Sequence, residues 1–337
     1  MNDLHQAAPV TQITQARELW FEAPRRVRLR TATVPSLSSG MVRVRALASG
    51  VSQGTELLLY RGEGPTPFDP SLELGAGSSY PCRYGYCWVG EVLECAPGVE
   101  SLAPGMRVFA LAPHGDTHVL PEIMFRALDP NIPAPRAVLA ANLQTAINCI
   151  WDSGLSLGDK VALFGAGTVG LLTAWLATKA GAEVTVIESS ERRRNAARAF
   201  SNTFAVAPNS ANLGNSSDVV IEATGNPATL DAALACAGME AKVVVVSFYG
   251  ERSHAIRLGN EFHRRRLALK SSQVSAIPPE RVPRWTHARR FELVQRYLRD
   301  SKLDELIDHE VPFAQASEVY ELLDQQPERF LQTVLIY

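Results

Sequence analysis

The sequence predicts an α/β protein that combines a doubly wound parallel sheet with a second, β-rich domain. Three observations lead to this fold class. The chain has 337 residues, which at roughly 150 residues per domain suggests two domains. Up to about residue 140, short alternating strands are separated by Pro-Gly turns. After Ala140, continuous apolar strands alternate with helices, as in a parallel sheet that is covered on both faces.

The β-rich domain is predicted from short strands and the turns between them. The strands are 26–30 (RVRLR), 42–48 (VRVRALA), 90–95 (GEVLEC) and 107–111 (RVFAL). The last strand, 331–337 (LQTVLIY), has no obvious partner in the parallel sheet, so we expect it to return to the β-rich domain. The predicted limits are 1–141 with 278–337 for this discontinuous domain, and 142–277 for the parallel-sheet domain.

The parallel-sheet domain is predicted from apolar strands and helices that follow one another along the chain. Its strands are 160–164, 183–187, 218–222 and 242–248, and its helices are 168–179, 191–200 and 228–237. Two further helices are predicted at 289–299 and 316–323.

Charge and composition exclude several classes of protein. Lys and Arg total 33 against 35 Asp and Glu, so the net charge of −2 argues against a partner that is a nucleic acid or a membrane surface. Five cysteines in a chain of this size do not suggest a disulfide framework. Residues 1–10 lack a signal-peptide pattern, and glycines interrupt the uncharged stretch 161–178. We therefore expect a cytoplasmic protein.

A glycine motif follows the first parallel strand. Residues 165–170 (GAGTVG) fit the pattern Gly-x-Gly-x-x-Gly between a strand and a helix. Gly165 permits a tight turn, Gly167 lets the backbone approach a pyrophosphate, and Gly170 lets the helix pack closely on the strand. Thr168 and Val169 open the helix, whose N-terminus favours an anion. The motif predicts a dinucleotide site.

An acidic residue after the second parallel strand bears on the choice of cofactor. The carboxylate of Glu188 can accept both ribose hydroxyls of an adenosine and would repel a 2′-phosphate, which favours NAD over NADP. Arg192, Arg193 and Arg194 follow and leave NADP open, because they can bind that phosphate. The simpler interpretation is a solvated helix face, with Arg193 touching the ribose.

Two more loops are expected to line the nicotinamide half of the crevice, since ligands bind at the carboxyl ends of parallel strands. One contains Thr224 and Gly225, and the other contains Ser247 and Phe248. The alternative for each loop is an ordinary turn at the end of a strand.

Together, the β-rich N-terminal part, the central dinucleotide domain and the returning last strand resemble the medium-chain dehydrogenase/reductase family. Residues 49–56 (SGVSQGTE) are most similar to the bacteriochlorophyllide dehydrogenase-like branch. The resemblance implies a GroES-like β-barrel domain, a Rossmann domain, an active site between them and a homodimer formed through the Rossmann domain.

The sequence departs from the zinc-dependent members of this family at the metal ligands. Ser52 stands where those members have Cys, Tyr86 stands where they have His, and neither Asn142 nor Leu143 is a thiol or an imidazole. The four-cysteine lobe is also missing, since no cysteine lies between residues 95 and 149. A catalytic zinc needs three His, Cys or carboxylate ligands, so we expect no zinc.

Without a metal, hydrogen-bond donors must stabilise the developing alkoxide. Ser52, Thr55 and Tyr86 are candidates because they replace or adjoin the metal ligands, and His263 is a fourth because its pKa suits proton transfer. The alternatives are a core aromatic for Tyr86 and a basic surface segment for His263. Glu56 either orients Thr55 or a water molecule, or forms a structural ion pair.

These residues predict a zinc-independent, NAD(P)-dependent oxidoreductase that interconverts an alcohol and a carbonyl on a small or medium-sized substrate. Two alternatives stay open. One is an NADPH-dependent quinone or enone reductase, and the other is a dinucleotide-binding protein without catalysis. Specificity is expected to depend on loops such as 60–80.

Overall fold

The computed structural model describes residues 13–64, 79–211 and 214–337. The N-terminal part begins with an antiparallel hairpin and continues into a mixed sheet of seven strands. Its strands are β1 Gln15–Ala23, β2 Arg26–Thr33, β3 Met41–Val51, β4 Trp88–Cys95, β5 Arg107–Ala110, β6 Thr117–Pro121 and β7 Phe125–Ala127. Helix α1 (Thr55–Arg61) follows β3, and α2 (Ala134–Ala137) and α3 (Ala140–Ser153) lead into the next sheet.

The central sheet has six parallel strands in the order β10-β9-β8-β11-β12-β13. They are β8 Lys160–Phe164, β9 Glu183–Ile187, β10 Phe204–Val206, β11 Ser217–Glu222, β12 Ala237–Val245 and β13 Ala268–Ser271. The helices between them are α4 Thr168–Lys179, α5 Glu191–Ser201 and α6 Thr229–Cys236. The strand order reverses between β8 and β11, which makes the carboxyl ends of these two strands the expected ligand site.

The two faces of the central sheet are covered by different helices. Leu163 of β8 packs in one buried cluster with Leu171 and Leu172 of α4. Phe164 packs in another cluster with Leu234 of α6. Adjacent strand residues point to opposite faces, so a strand that is apolar throughout needs cover on both sides. The predicted doubly wound sheet is confirmed.

The C-terminal part returns to the first sheet. It comprises α7 His287–Leu298, β14 Ile307–Pro312, α8 Ala316–Gln325 and β15 Gln332–Ile336. Strand β15 pairs antiparallel with β3 and parallel with β14, so the last strand joins the N-terminal sheet as expected. Helix α7 packs on α3. The exact domain limits stay a prediction.

One predicted strand ends earlier than the sequence suggested. The run 242–248 was expected to be strand throughout, but β12 ends at Val245. The Val246 N–H still donates to the carbonyl oxygen of Glu222 at 2.9 Å, and beyond it Ser247 Oγ accepts a hydrogen bond from the Gly225 N–H of the neighbouring loop at 2.8 Å. The end of the predicted strand is therefore a loop that contacts the loop after β11.

No helix in the described parts of the chain is long and apolar enough to cross a membrane. Residues 1–12, on which the expectation about a signal peptide rests, lie outside the described residues.

A buried histidine in the N-terminal sheet makes stability depend on pH. His118 packs edge-on against Trp88 at 4.9 Å, and its Nε2 lies 2.9 Å from the carbonyl oxygen of Pro113. Burial lowers the pKa of His118 to about 4. Between that value and the unfolded value near 6.5, the unfolded chain binds more protons than the folded one. The free energy of unfolding therefore falls as the pH drops through this window.

We expect the change His118→Gln to remove part of this loss, since the amide keeps a donor for Pro113 but does not titrate. In urea unfolding at pH 7 and pH 5, the wild type should lose about 2 kcal/mol more than the variant. Equal losses in the two proteins would contradict the assignment.

Candidate functional site

The glycine motif forms the turn between β8 and α4. Gly165 has a φ of +97°, which only glycine adopts readily. A Cβ at Gly165 would lie 2.7 Å from the carbonyl oxygen of Ala223, and a Cβ at Gly170 would lie 2.1 Å from that of Gly165. A Cβ at Gly167 would meet no atom within 4 Å. The turn is therefore closed on the sheet side and open in front of the helix N-terminus.

This open side fits a dinucleotide pyrophosphate. Thr168 and Val169 open α4, whose first N–H groups have no partner within the helix and favour an anion. The space at Gly167 lets a ligand approach the backbone closely. These residues provide the shape and the donors that the pyrophosphate requires.

Glu188 lies directly beside the glycine turn. Its carboxylate is buried and accepts a hydrogen bond from the Ala166 N–H at 2.8 Å and another from the Ser190 N–H at 2.8 Å. The Ser189 hydroxyl donates to it at 3.1 Å. The carboxylate that was predicted to bind a ribose is thus fixed next to the site expected for the pyrophosphate.

Arg193 reaches out of the central domain instead of remaining on a solvated helix face. Its Nη2 donates to Gln53 Oε1 at 3.0 Å and to the carbonyl oxygens of Phe330 at 3.3 Å and Pro327. Burial lowers its pKa. Arg194 Nη1 donates to the carbonyl oxygen of Glu188 at 2.8 Å. Both guanidinium groups therefore already have protein partners.

The two loops predicted for the nicotinamide half are joined to each other. Ser247 Oγ accepts the hydrogen bond from Gly225, and the Thr224 N–H donates to Glu222 Oε1 at 2.7 Å. Phe248 is half exposed beside them, with 49% of its surface accessible. The structure thus places all four predicted residues, 224, 225, 247 and 248, just beyond the carboxyl ends of β11 and β12.

Three of the four predicted catalytic residues meet in one cluster. The Tyr86 hydroxyl donates to Ser52 Oγ at 2.6 Å, and the Thr55 N–H donates to the same oxygen at 3.3 Å. Tyr86 also has a side-chain hydrogen bond with Thr55. Burial raises the pKa of Tyr86 well above its usual value, so the phenol stays protonated. We call Ser52, Thr55 and Tyr86 the hydroxyl cluster.

A fully buried network supports this cluster from below. Glu56 Oε1 accepts the N–H of Ser52 at 2.9 Å, while Oε2 takes hydrogen bonds from His114 Nε2 at 2.9 Å and from the Tyr320 hydroxyl at 2.6 Å. His114 Nδ1 in turn lies 2.7 Å from Ser49 Oγ. Glu56 therefore fixes the backbone of Ser52 rather than the side chain of Thr55, and His114 lies at the distance expected for the structural ion pair that the sequence offered as an alternative.

Sequence reasoning missed His114 and Tyr320 as parts of the site. They are 58 and 264 residues from Glu56. No local spacing links such distant positions, so no signal in a single sequence could have found them.

The structure separates His263 from the hydroxyl cluster. His263 is exposed and precedes β13, and its neighbour Arg265 donates to the carbonyl oxygen of Ala237 at the start of β12. His263 thus lies at the amino end of the parallel strands, whereas the cofactor loops lie at the carboxyl ends. The expectation that it shares the catalytic site is not met, because the strand β13 itself separates it from that edge.

The positions that hold zinc in metal-dependent relatives carry weak ligands here. Beside the hydroxyls of Ser52 and Tyr86, Asn142 Nδ2 donates to Gln332 Oε1 at 3.2 Å, and Gln332 Nε2 donates to the carbonyl oxygen of Val51 at 3.0 Å. Within residues 13–64, 79–211 and 214–337, no group of three or more His, Cys, Asp or Glu could hold a metal ion. The donor set does not fit zinc.

The chain is similar to known dehydrogenases. Residues 168–288 match the model of the zinc-binding dehydrogenase family. The chain is 25% identical to D-guloside 3-dehydrogenase of Escherichia coli K12, over 93% of this chain and 97% of the relative. It is 29% identical to 2-desacetyl-2-hydroxyethyl bacteriochlorophyllide A dehydrogenase of Cereibacter sphaeroides, over 68% and 73% of the two chains.

Solved structures share the whole fold. A putative zinc-binding dehydrogenase from Sinorhizobium meliloti, bound to NADP, matches with a TM-score of 0.79 and 19% identity over 96% of this chain and 99% of the other. An alcohol dehydrogenase from E. coli CFT073, complexed with NADH, matches with a TM-score of 0.78 and 20% identity over 96% and 100%. The predicted fold class is confirmed. The resemblance to the zinc-type alcohol dehydrogenase-like group of the medium-chain dehydrogenase/reductase family is confirmed, and the protein is an oxidoreductase.

Proposed function

We propose that this protein is a zinc-independent NAD(P)-dependent oxidoreductase that interconverts an alcohol and a carbonyl on a small or medium-sized substrate. The observation that carries the proposal is the hydroxyl cluster, in which Tyr86 and Thr55 both donate to Ser52 Oγ, since the resemblance places Ser52 and Tyr86 at two metal-ligand positions. Two relatives are named for dehydrogenation of a guloside and of a hydroxyethyl bacteriochlorophyllide, which supports the alcohol–carbonyl reaction.

The residues around the glycine turn support NAD as the cofactor. The carboxylate of Glu188 is buried beside the glycine turn, where we place the adenosine ribose, and Arg192, Arg193 and Arg194 already have protein oxygens as partners. In this arrangement a 2′-phosphate would face the Glu188 carboxylate, and none of these three arginines would be free to bind it. NADP is the alternative, and the two solved relatives carry one nucleotide of each kind.

The chemistry follows from the positions of the donors. A bound nicotinamide supplies or accepts the hydride. The Tyr86 hydroxyl donates a hydrogen bond to Ser52 Oγ, so the hydrogen of Ser52 is free to point at the substrate oxygen and to stabilise developing charge there. Because burial raises the pKa of Tyr86, the phenol keeps its proton and continues to orient the Ser52 hydroxyl. Glu56 holds the Ser52 backbone in this orientation.

We propose that the loop between α1 and β4, which includes most of residues 60–80, selects the substrate. Residues 65–78 of the predicted specificity loop lie outside the described residues. The substrate therefore remains defined by class, as a small molecule with a hydroxyl or carbonyl group.

The cofactor and the metal can be tested on one purified sample. In calorimetric titration, we expect NAD to bind at least tenfold more tightly than NADP. The change Glu188→Gln should reduce this ratio of affinities, because it removes the carboxylate charge that repels the 2′-phosphate of NADP. Elemental analysis should find less than one tenth of a zinc ion per chain. Stoichiometric zinc would overturn the metal-free part of the proposal, and tighter NADP binding would overturn the choice of NAD.

Activity tests the hydroxyl cluster. With NADH and a panel of ketones, Tyr86→Phe should lower kcat about 100-fold with a small change in KM, because it removes the hydrogen bond that orients the Ser52 hydroxyl toward charge developing in the transition state. Tyr297→Phe, on α7, is the matched control and should keep full activity. Turnover of quinones alone, with NADPH, would identify the quinone reductase instead. Cofactor binding without turnover of any substrate would identify a non-catalytic protein.

The homodimer is proposed from the edge of the central sheet. Strand β13 is the last strand of the sheet order in the described part of the chain, and Leu269 on it is 38% exposed. An edge strand offers unpaired backbone groups to a second strand. Sedimentation should therefore give twice the chain mass, and Leu269→Lys should shift the protein toward monomer. Leu157→Lys, at an exposed site on another surface, should leave the mass unchanged.

A further inference from the structure

A buried carboxylate lies beneath the nicotinamide loops and has no role in the mechanism above. Glu222 ends β11, and its side chain is completely buried. Its Oε1 accepts hydrogen bonds from the N–H of Thr224, at 2.7 Å, and from the hydroxyl of Thr224. Its Oε2 accepts the Tyr249 hydroxyl at 2.5 Å. Among the described residues, these neutral groups are its side-chain partners, and no ion pair includes it.

The position of Glu222 in the sheet places it on the nicotinamide side of the crevice. Strands β9, β8 and β11 are neighbours, with Glu188 just beyond β9 and the glycine turn just beyond β8. A dinucleotide whose adenosine lies at Glu188 and whose pyrophosphate lies at Gly167 must extend its other half over the end of β11. The N–H of Ala223, the next residue after Glu222, donates at 2.8 Å to the carbonyl oxygen of Phe164, which directly precedes the glycine turn.

Neighbouring groups hold the side chain of Glu222 at this edge. Burial and the hydrogen bond to Glu222 raise the pKa of Tyr249, so this phenol remains a donor. Arg252 is a cation that acts on Tyr249, and its Nε donates to the carbonyl oxygen of Tyr249 at 3.2 Å and lies 3.9 Å from Glu63 Oε2. The negative charge of Glu222 is therefore shared among dipoles and is not cancelled by a buried cation.

We infer that Glu222 stabilises the oxidised, positively charged nicotinamide and so sets the preference of this protein for the oxidised over the reduced cofactor. This inference rests on the proposed function. The oxidised ring carries one positive charge and the reduced ring carries none, so a nearby carboxylate favours the oxidised form. In a partly buried site the attraction is screened less than in water. Because its hydrogen bonds go to Thr224 and Tyr249, Glu222 acts through its charge.

The test compares two affinities in the same variant. Calorimetric titration with NAD⁺ and, separately, with NADH should show that Glu222→Gln weakens NAD⁺ binding about tenfold and changes NADH binding less than twofold. Asp231→Asn, which removes an exposed carboxylate on α6, is the charge-matched control and should alter neither affinity. A structural role for Glu222 would weaken both nucleotides equally, and that result would overturn the inference, as would unchanged affinities.

A second variant keeps the inference testable if the Gln variant does not fold. Tyr249→Phe removes a hydrogen bond but leaves the carboxylate, so the ratio of NAD⁺ to NADH affinity should stay the same or shift further toward NAD⁺. Loss of the NAD⁺ preference in this variant would assign the effect to the phenol and contradict the inference. Wild-type protein that binds neither nucleotide would instead overturn the proposed function itself.

Discussion

The geometry of the site depends on one short segment of backbone, residues 330–332. The Thr168 hydroxyl at the start of α4 donates to the carbonyl oxygen of Leu331 at 2.7 Å, and Gln53 Nε2 donates to that of Phe330 at 3.0 Å. The side chain of Gln332 binds the backbone of β3. Because β15 is itself paired with β3, these carbonyl groups are held in place. A shift of α4 relative to the hydroxyl cluster would therefore break several hydrogen bonds at the same time.

Two carboxylates, Glu56 and Glu222, are fully buried, one in the network below the hydroxyl cluster and one at the end of β11. A buried carboxylate is costly unless donors satisfy it, and in both cases hydroxyl and N–H groups do so. Glu56 holds the backbone of the residue that replaces a metal ligand, and its partners include His114. Glu222 lies under the cofactor loops with neutral partners. A buried, hydrogen-bonded carboxylate thus holds the backbone in place at Glu56, and we propose that it acts through its charge at Glu222.

The structure agrees with the prediction from sequence where local structure follows from neighbouring residues. The glycine motif, its helix and Glu188 are local features, because a strand, a turn and a helix in succession fix their relative positions. The predictions were wrong where the position of a residue depends on contacts with parts of the chain that are distant in sequence. His263 was associated with the cofactor because it precedes a strand. The direction of β13 instead places His263 at the amino ends of the parallel strands, opposite the cofactor loops. The end of β12 was placed too late because Ser247 pairs with a loop that the sequence does not place beside it.

The sequence by itself determined the parallel sheet, the dinucleotide motif and the absence of thiol and imidazole groups at the metal-ligand positions. These are properties of residue type, periodicity and short spacing. Only the tertiary structure decided that Ser52, Thr55 and Tyr86 share hydrogen bonds, and that His114 and Tyr320 converge on one buried carboxylate. Such contacts arise when strand pairing and helix packing close long loops of chain, and a hydrogen bond forms only when that closure brings donor and acceptor within about 3 Å.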